Sequence, residues 1–183
     1  MDNNEKSWID FPVVTGLMVF TNPQQFTAAR ASVDCFFAQS WPHKELVVFN
    51  STKLKLSRWW RKTNPTELHL KYTNYAKAIE ICRDNSSGEW CFNWFPDCWY
   101  EASYVSKFME FKNKRQLTML KNVDVFSLKD QSRATISGSV IECWSIYRHF
   151  SVDFNTPIKN QFPNVVEIDN SPGLIIKFAS EVI

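Results

Sequence analysis

The run Val13-Val14-Thr15-Gly16-Leu17-Met18-Val19-Phe20, followed at once by Thr21-Asn22-Pro23, decides how this chain is read. An apolar run of strand length without polar alternation is the pattern of a strand covered on both faces. Asn22 can cap a helix, and Pro23 can occupy its first turn, where a missing N–H removes no bond. Phe26, Ala29, Val33 and Phe36 or Phe37 then recur at helical spacing up to Ser40, and Trp41-Pro42 stops the helix. Glu45-Leu46-Val47-Val48-Phe49 reads as a second covered strand. A strand, a helix and a strand within residues 13–49 predict a right-handed parallel crossover.

Working outward, Lys53 to Lys62 (KLKLSRWWRK) is basic and aromatic and has no clean period. Thr66 to Tyr72 alternates Leu68, Leu70 and Tyr72 and predicts a short strand. Asn74 can cap a helix through Ala76, Ala78, Ile79 and Cys82 that ends in the turn Asp84-Asn85-Ser86-Ser87-Gly88. Glu89 to Phe95 (EWCFNWF) predicts a third covered strand, Pro96-Asp97-Cys98 breaks it, and Trp99 to Phe111 reads as helical. After a connection rich in Lys112, Lys114, Arg115 and Lys121, segments near 123–129, 134–147 and 164–169 read as further strands. The expected architecture is α/β, with helices flanking a mixed, mainly parallel sheet. It forms one domain over residues 12–183, behind an arm at 1–11 that Trp8, Ile9 and Phe11 can pin.

Composition narrows the chemistry. The 183 residues include 15 Phe, 8 Trp and 5 Tyr but only 4 Gly, at 16, 88, 138 and 173. Glycines so scattered cannot close backbone N–H groups on a phosphate, which excludes the dinucleotide fingerprint, the P-loop and the G-x-S-x-G elbow. His43, His69 and His149 are too far apart for a helical zinc pair. Lys and Arg total 21 against 19 Asp and Glu, a net charge of +2, which is too mild to demand a polyanion. The five cysteines contain no C-x-x-C and read as reduced, mostly buried thiols. A polar N-terminus and the lack of any long apolar run predict a soluble, cytoplasmic protein.

Three blocks, in this order, resemble a known family. The first is Val13 to Pro23 with Ala31-Ser32-Val33, Phe37-Ala38-Gln39-Ser40-Trp41 and Glu45 to Asn50; the second is Asn74 to Ile79 through Gly88-Glu89-Trp90; the third is Cys91 to Trp99. Together they resemble family 2 glycosyltransferases of the GT-A fold, a Rossmann-like nucleotide-diphospho-sugar transferase architecture, over about residues 13 to 111. The resemblance implies a hexosyl-type transfer from a UDP- or GDP-sugar to a hydroxyl acceptor, with the donor at the carboxyl ends of the strands. It assigns donor contacts to Thr21, Asn22 and Pro23, to Asn50, where family members carry an acid, with Ser51 after it, and to Asp97; Arg58, from the basic aromatic stretch, is a further donor-contact candidate. The family's D-x-D motif falls on Phe95-Pro96-Asp97, one carboxylate where there are usually two. The implied cofactor is Mn²⁺ or Mg²⁺ on Asp97. A general base for the acceptor hydroxyl would come from Glu167 or Asp169, with Asp153 and Glu142 behind them. The acceptor would be a polysaccharide, a protein or modified DNA, and no membrane span is implied.

Each assignment has a structural counterpart. Asp97 can be a turn or helix-capping residue, Glu167 and Asp169 solvated strand-end acids, and Asn22-Pro23 a plain helix start. The Arg58-Trp59-Trp60-Arg61 cluster suits a nucleic-acid strand, a diphosphate or sugar rim, or a pair of buried indoles with snorkelling arginines. The incomplete D-x-D leaves a second reading open, a degenerate GT-A-like module that binds a nucleotide or glycan without turnover.

Overall fold

The first strand is buried along its whole length because both of its faces are roofed, and the topology shows by what. A computed structural model describes residues 11–58 and 62–110, together with 117–120, 122–127, 131, 133–137, 144–147, 165–168 and 175–177. Strand β1 (Val14–Phe20) lies parallel to β2 (Lys44–Asn50), Val14 opposite Lys44 and Phe20 opposite Asn50. Between them a 3-10 turn at Pro23–Gln25 leads into α1 (Phe26–Phe37). Asn22 caps the turn by accepting the N–H of Gln24 at 3.0 Å. Strand β3 (Thr66–His69) lies parallel on the far side of β2, and α2 (Tyr75–Asp84) starts at its cap Asn74, which accepts the N–H of Lys77. Strand β4 (Trp90–Asn93) then returns to the other side of β1, again parallel.

Those four parallel strands are part of a larger sheet. With β6 (Leu117–Leu120), β9 (Trp144–Tyr147) and β10 (Val165–Ile168) it runs β10-β6-β9-β4-β1-β2-β3. Strand β9 is antiparallel to both β4 and β6, and β10 is parallel to β6. A second sheet of four strands has the order β5-β11-β7-β8, from β5 (Cys98–Tyr100), β7 (Asn122–Ser127), β8 (Arg133–Ser137) and β11 (Ile175–Lys177). The expected α/β architecture, mainly parallel and helix-flanked, is present.

Alternation along the strands separates two cores. Val14, Met18 and Phe20 of β1, Leu46 and Val48 of β2, and Trp90 and Phe92 of β4 pack with Val33 and Phe36 of α1 and with α3 (Tyr104–Glu110). Leu17, Val19, Val47, Phe49 and Cys91 face the other way, onto Ala78, Ile79 and Cys82 of α2. Helices cover both faces, which is why these strands read as unbroken apolar runs. Phe11 packs edge-on against Trp41 at 5.0 Å, while Trp8 and Ile9 lie outside the described residues.

At the amino ends of the strands a carboxylate does the joining. Glu45 accepts from Thr15 Oγ1 at 2.6 Å, from Ser87 Oγ at 2.7 Å, and from the N–H groups of Ser87 and Gly88. Burial alone would raise its pKa, but these hydrogen bonds prevail and hold it below the usual range. Gly88 is needed because a Cβ there would lie 2.3 Å from Thr15 Oγ1 and 2.9 Å from the Thr15 nitrogen.

Several expected boundaries change. Trp99 to Phe111 is not one helix: Cys98–Tyr100 forms β5, and α3 begins only at Tyr104. The override is tertiary, since β5 pairs antiparallel with β11 and Tyr100 exchanges backbone contacts with the Cys35 thiol of α1 at 3.0 and 3.1 Å. The segment 134–147 is two strands in different sheets, β8 and β9. Strand β3 stops at His69 rather than Tyr72, and α1 stops at Phe37 rather than Ser40. Past Phe37 the chain turns to meet the approach to α3: Gln39 donates to Glu101 O and accepts from Val105 N–H, and Ser40 N–H donates to Ala102 O.

Candidate functional site

In an open α/β sheet a ligand crevice forms at the carboxyl ends of the strands, where the strand order reverses. Here β2 and β4 leave β1 on opposite sides, so the reversal lies at β1. The loops Thr21–Pro23 after β1, Asn50–Thr52 after β2 and Trp94–Asp97 after β4 share that edge. They are cross-tied: Ser51 N–H donates to Phe20 O at 3.1 Å, and Trp94 N–H donates to Leu17 O at 2.9 Å. Asn22 and Pro23 are exposed there, while Thr21, Ser51 and Asp97 are half-buried.

The turn carrying Asp97 is built by aromatics. Phe95-Pro96-Asp97-Cys98 closes with Cys98 N–H on Phe95 O at 3.4 Å, and proline fills the position a β-turn favours for it. Phe95 accepts Ser32 Oγ at its carbonyl (2.7 Å) and the Tyr100 hydroxyl accepts its N–H (3.0 Å). Beneath, the Trp94 ring lies 3.9 Å from Tyr100 and 5.0 Å from Phe36, and its indole N–H donates to Ser32 O. Phe95, standing where the family pattern has its first carboxylate, packs against the core. Asp97 caps no helix: α3 begins at Tyr104, whose N–H goes to Glu101 O. Its Oδ1 lies 3.7 Å from the Cys98 thiol. Among the described residues no three His, Cys, Asp or Glu side chains gather into a metal cluster. A lone carboxylate still fits Mg²⁺ or Mn²⁺ of the kind bound by one or two carboxylates plus substrate phosphates and waters.

Asn50 is fully buried and its amide is fully used. Nδ2 donates to Leu54 O at 2.8 Å and to Glu67 Oε2 at 2.9 Å, and Oδ1 accepts Thr52 N–H and Oγ1 at 2.9 and 2.8 Å. That is both donors and both lone pairs. Glu67 on β3 in turn accepts Leu56 N–H at 3.1 Å, Ser57 N–H at 2.7 Å and the Ser57 hydroxyl. Burial pushes the Glu67 carboxyl up, but hydrogen bonds from Ser57, Leu56 and Asn50 overcome this and hold it below the usual range. The sequence reading passes over Glu67, because its partners lie in a segment without period. One signal does point to it: residues 46–66 hold five Lys or Arg and no acid, so Glu67 is the first acid after Glu45.

Of the other candidates, Arg58 pairs with Asp34 of α1 at 3.1 Å, and its backbone is tied to the Asn64 amide. Asp34 lies about 12 Å along α1 from its first residue, so the pair holds Arg58 on the helix flank. Glu167 is in β10, paired with Met119, and β10 runs in the same direction as β4 but three strands away, about 14 Å. Asp169, Glu142, Asp153, Trp59, Trp60, Arg61 and Lys112, Lys114, Arg115 and Lys121 lie outside the described residues. Cys35, Cys82, Cys91 and Cys98 are buried and none of the four is in a disulfide, while Cys143 lies outside the described residues. Among the described residues no helix is long and apolar enough to cross a membrane.

The sequence matches no family model and no curated protein. The fold, by contrast, is similar to that of S. aureus TarS. The crystal structure of TarS 1–349 in complex with UDP-GlcNAc superposes with a TM-score of 0.64 at 9% identity, covering 93% of this chain and 60% of that chain. A second crystal structure of S. aureus TarS gives 0.62 at 11% identity, covering 92% of this chain and 37% of that one. The chain thus spans less than two thirds of the structures it resembles, and at this identity the likeness is one of fold.

Proposed function

We propose that this chain is a glycosyltransferase domain that moves a sugar from a UDP- or GDP-sugar to a hydroxyl acceptor on a polysaccharide, a protein or modified DNA. The observation that carries the reading is the turn Phe95–Cys98, which brings the half-buried Asp97 to the carboxyl end of β4 beside the loop after β1. The fold shared with TarS, a glycosyltransferase with a structure holding UDP-GlcNAc, supports a nucleotide sugar as donor.

In this reading Thr21, Asn22, Pro23 and Ser51 line the donor edge, and Asn50 shapes it from beneath. Arg58 joins them only by leaving Asp34. Asp97 would hold Mg²⁺ or Mn²⁺, which when bound neutralises charge on the departing nucleoside diphosphate. Trp94 and Phe95 pack the core side of the turn, and Asp97 is left half-buried with its Oδ1 3.7 Å from the Cys98 thiol. Glu167 or Asp169 would take the acceptor hydroxyl proton, a role that needs hydrogen-bond reach to the acceptor.

Release of UDP or GDP from a panel of nucleotide sugars with Mn²⁺ tests the proposal. Asp97→Ala is expected to abolish release while leaving the melting temperature unchanged; release at the unaltered rate would remove Asp97 from the mechanism.

A further inference from the structure

The loop after β2 is where the chain departs most from the pattern it resembles, and the departure is compensated from the next strand. An amide, Asn50, stands at the strand end in place of an acid, and a carboxylate arrives beside it from β3: Glu67 Oε2 is 2.9 Å from Asn50 Nδ2. The Glu67 side chain is only 6% exposed. It gathers Leu56 N–H, Ser57 N–H, Ser57 Oγ and the Asn50 amide, and His69 Nε2 lies 3.6 Å from its Oε2. Asn50 passes the constraint on through its other atoms to Thr52 and Leu54. Thr52 Oγ1 also accepts Leu54 N–H at 3.1 Å, so residues 50–57 form one continuous hydrogen-bonded unit. Leu56, buried, anchors the same unit in the core beside α1.

We propose that Glu67 is a positioning residue of the donor site, a carboxylate supplied by β3 that fixes the loop Asn50–Ser57 and so sets how Ser51 and Thr52 meet the nucleotide. The proposal rests on the donor reading above. No group of Glu67 touches substrate; its effect passes through Asn50. An amide side chain at position 67 turns a donor toward hydrogens that Oε2 now accepts, the Leu56 N–H and one of the two on Asn50 Nδ2. The loop then relaxes while the sheet beneath it, held by β2–β3 pairing, stays.

The test is calorimetric titration of the whole chain with UDP and with GDP, each with Mn²⁺, alongside a melting temperature for every variant. Glu67→Gln is expected to weaken nucleotide binding by about tenfold, as losing two buried hydrogen bonds implies. Asn50→Asp, which places two carboxylates side by side, is expected to weaken it further. The double variant N50D/E67Q should recover part of that loss, because the amide introduced at position 67 can donate to the carboxylate introduced at position 50. Ser57→Ala, which removes one donor and keeps Glu67, should weaken binding in the same direction and carries the test if Glu67→Gln does not fold. A lowered melting temperature with unaltered affinity in Glu67→Gln, or an Asn50→Asp loss equal in both backgrounds, overturns the assignment and leaves the donor reading standing. No nucleotide binding by the unaltered chain overturns the donor reading and the assignment with it.

Discussion

The Ser32 hydroxyl of α1 donates to the carbonyl oxygen of Phe95 at 2.7 Å, across 63 residues of sequence. That bond, with Trp94 Nε1 returning to Ser32 O at 3.2 Å, straps the Asp97 turn to the helix beside β1. Ser32→Ala leaves the Phe95 carbonyl without this partner and is expected to destabilise the chain by about 1 kcal/mol, read by urea titration. Loss of Mn²⁺-dependent nucleotide binding beyond what that destabilisation explains would mark the strap as setting the turn's geometry.

Gly88→Ala is expected to destabilise by about 1–3 kcal/mol, because the new methyl meets backbone as well as a side chain. The added Cβ would lie 2.9 Å from Thr15 N and 3.0 Å from Val13 O, and neither can swing away as a side-chain tip can. Denaturant titration measures it, and a neutral result would mean that the β1–β4 approach is looser than described.

Acid should unfold the chain partly through Glu45 and Glu67. Both carboxyls sit below their ordinary value of 4.5 when folded, so the stability they contribute is present above that pH and lost as pH falls through the lowered folded values. Melting temperatures between roughly pH 5 and pH 3 should drop steeply for the unaltered chain and less steeply for Glu45→Gln, which has no proton to take up. Equal slopes would show that Glu45 does not participate.

The thiols should be inert in the folded chain. Burial pushes Cys35 up to about 11 and Cys82 up to about 12, so neither supplies thiolate near neutral pH. Alkylation at pH 8 followed by peptide mass analysis is expected to leave both unmodified until denaturant is added; labelling of Cys82 under native conditions would contradict the burial of its side chain between α2 and the sheet.

What could be read in the sequence was whatever depends on local pattern. The runs Val13–Phe20, Glu45–Phe49 and Glu89–Phe95 announce the covered strands found at Val14–Phe20, Lys44–Asn50 and Trp90–Asn93, because two helix layers demand apolar residues on both faces. Asn22 and Asn74 announced helix starts because a cap is a local bond. At Cys98–Tyr100 the local pattern misleads, since this stretch is strand by virtue of β11 and Cys35, partners far away in the chain. At the candidate site the positions of Asn50 and Asp97 at strand ends were legible, but their surroundings were not. Nothing local says that Asn50 spends its whole amide on residues 52, 54 and 67, or that Arg58 turns to Asp34. Part of the aromatic excess is accounted for here: Trp94, Tyr100, Tyr104 and Phe108 form a continuous series of ring contacts in the core next to the Asp97 turn.

We propose a nucleotide-sugar site at the carboxyl ends of β1, β2 and β4 with Asp97 as its metal ligand. Its most direct test is calorimetric titration with UDP-GlcNAc and other UDP- and GDP-sugars, with and without Mn²⁺, on the unaltered chain and on Asp97→Asn. Saturable binding of at least one nucleotide sugar, strengthened by Mn²⁺, is expected, with the strengthening absent in Asp97→Asn. Binding of none of them under either condition would contradict it.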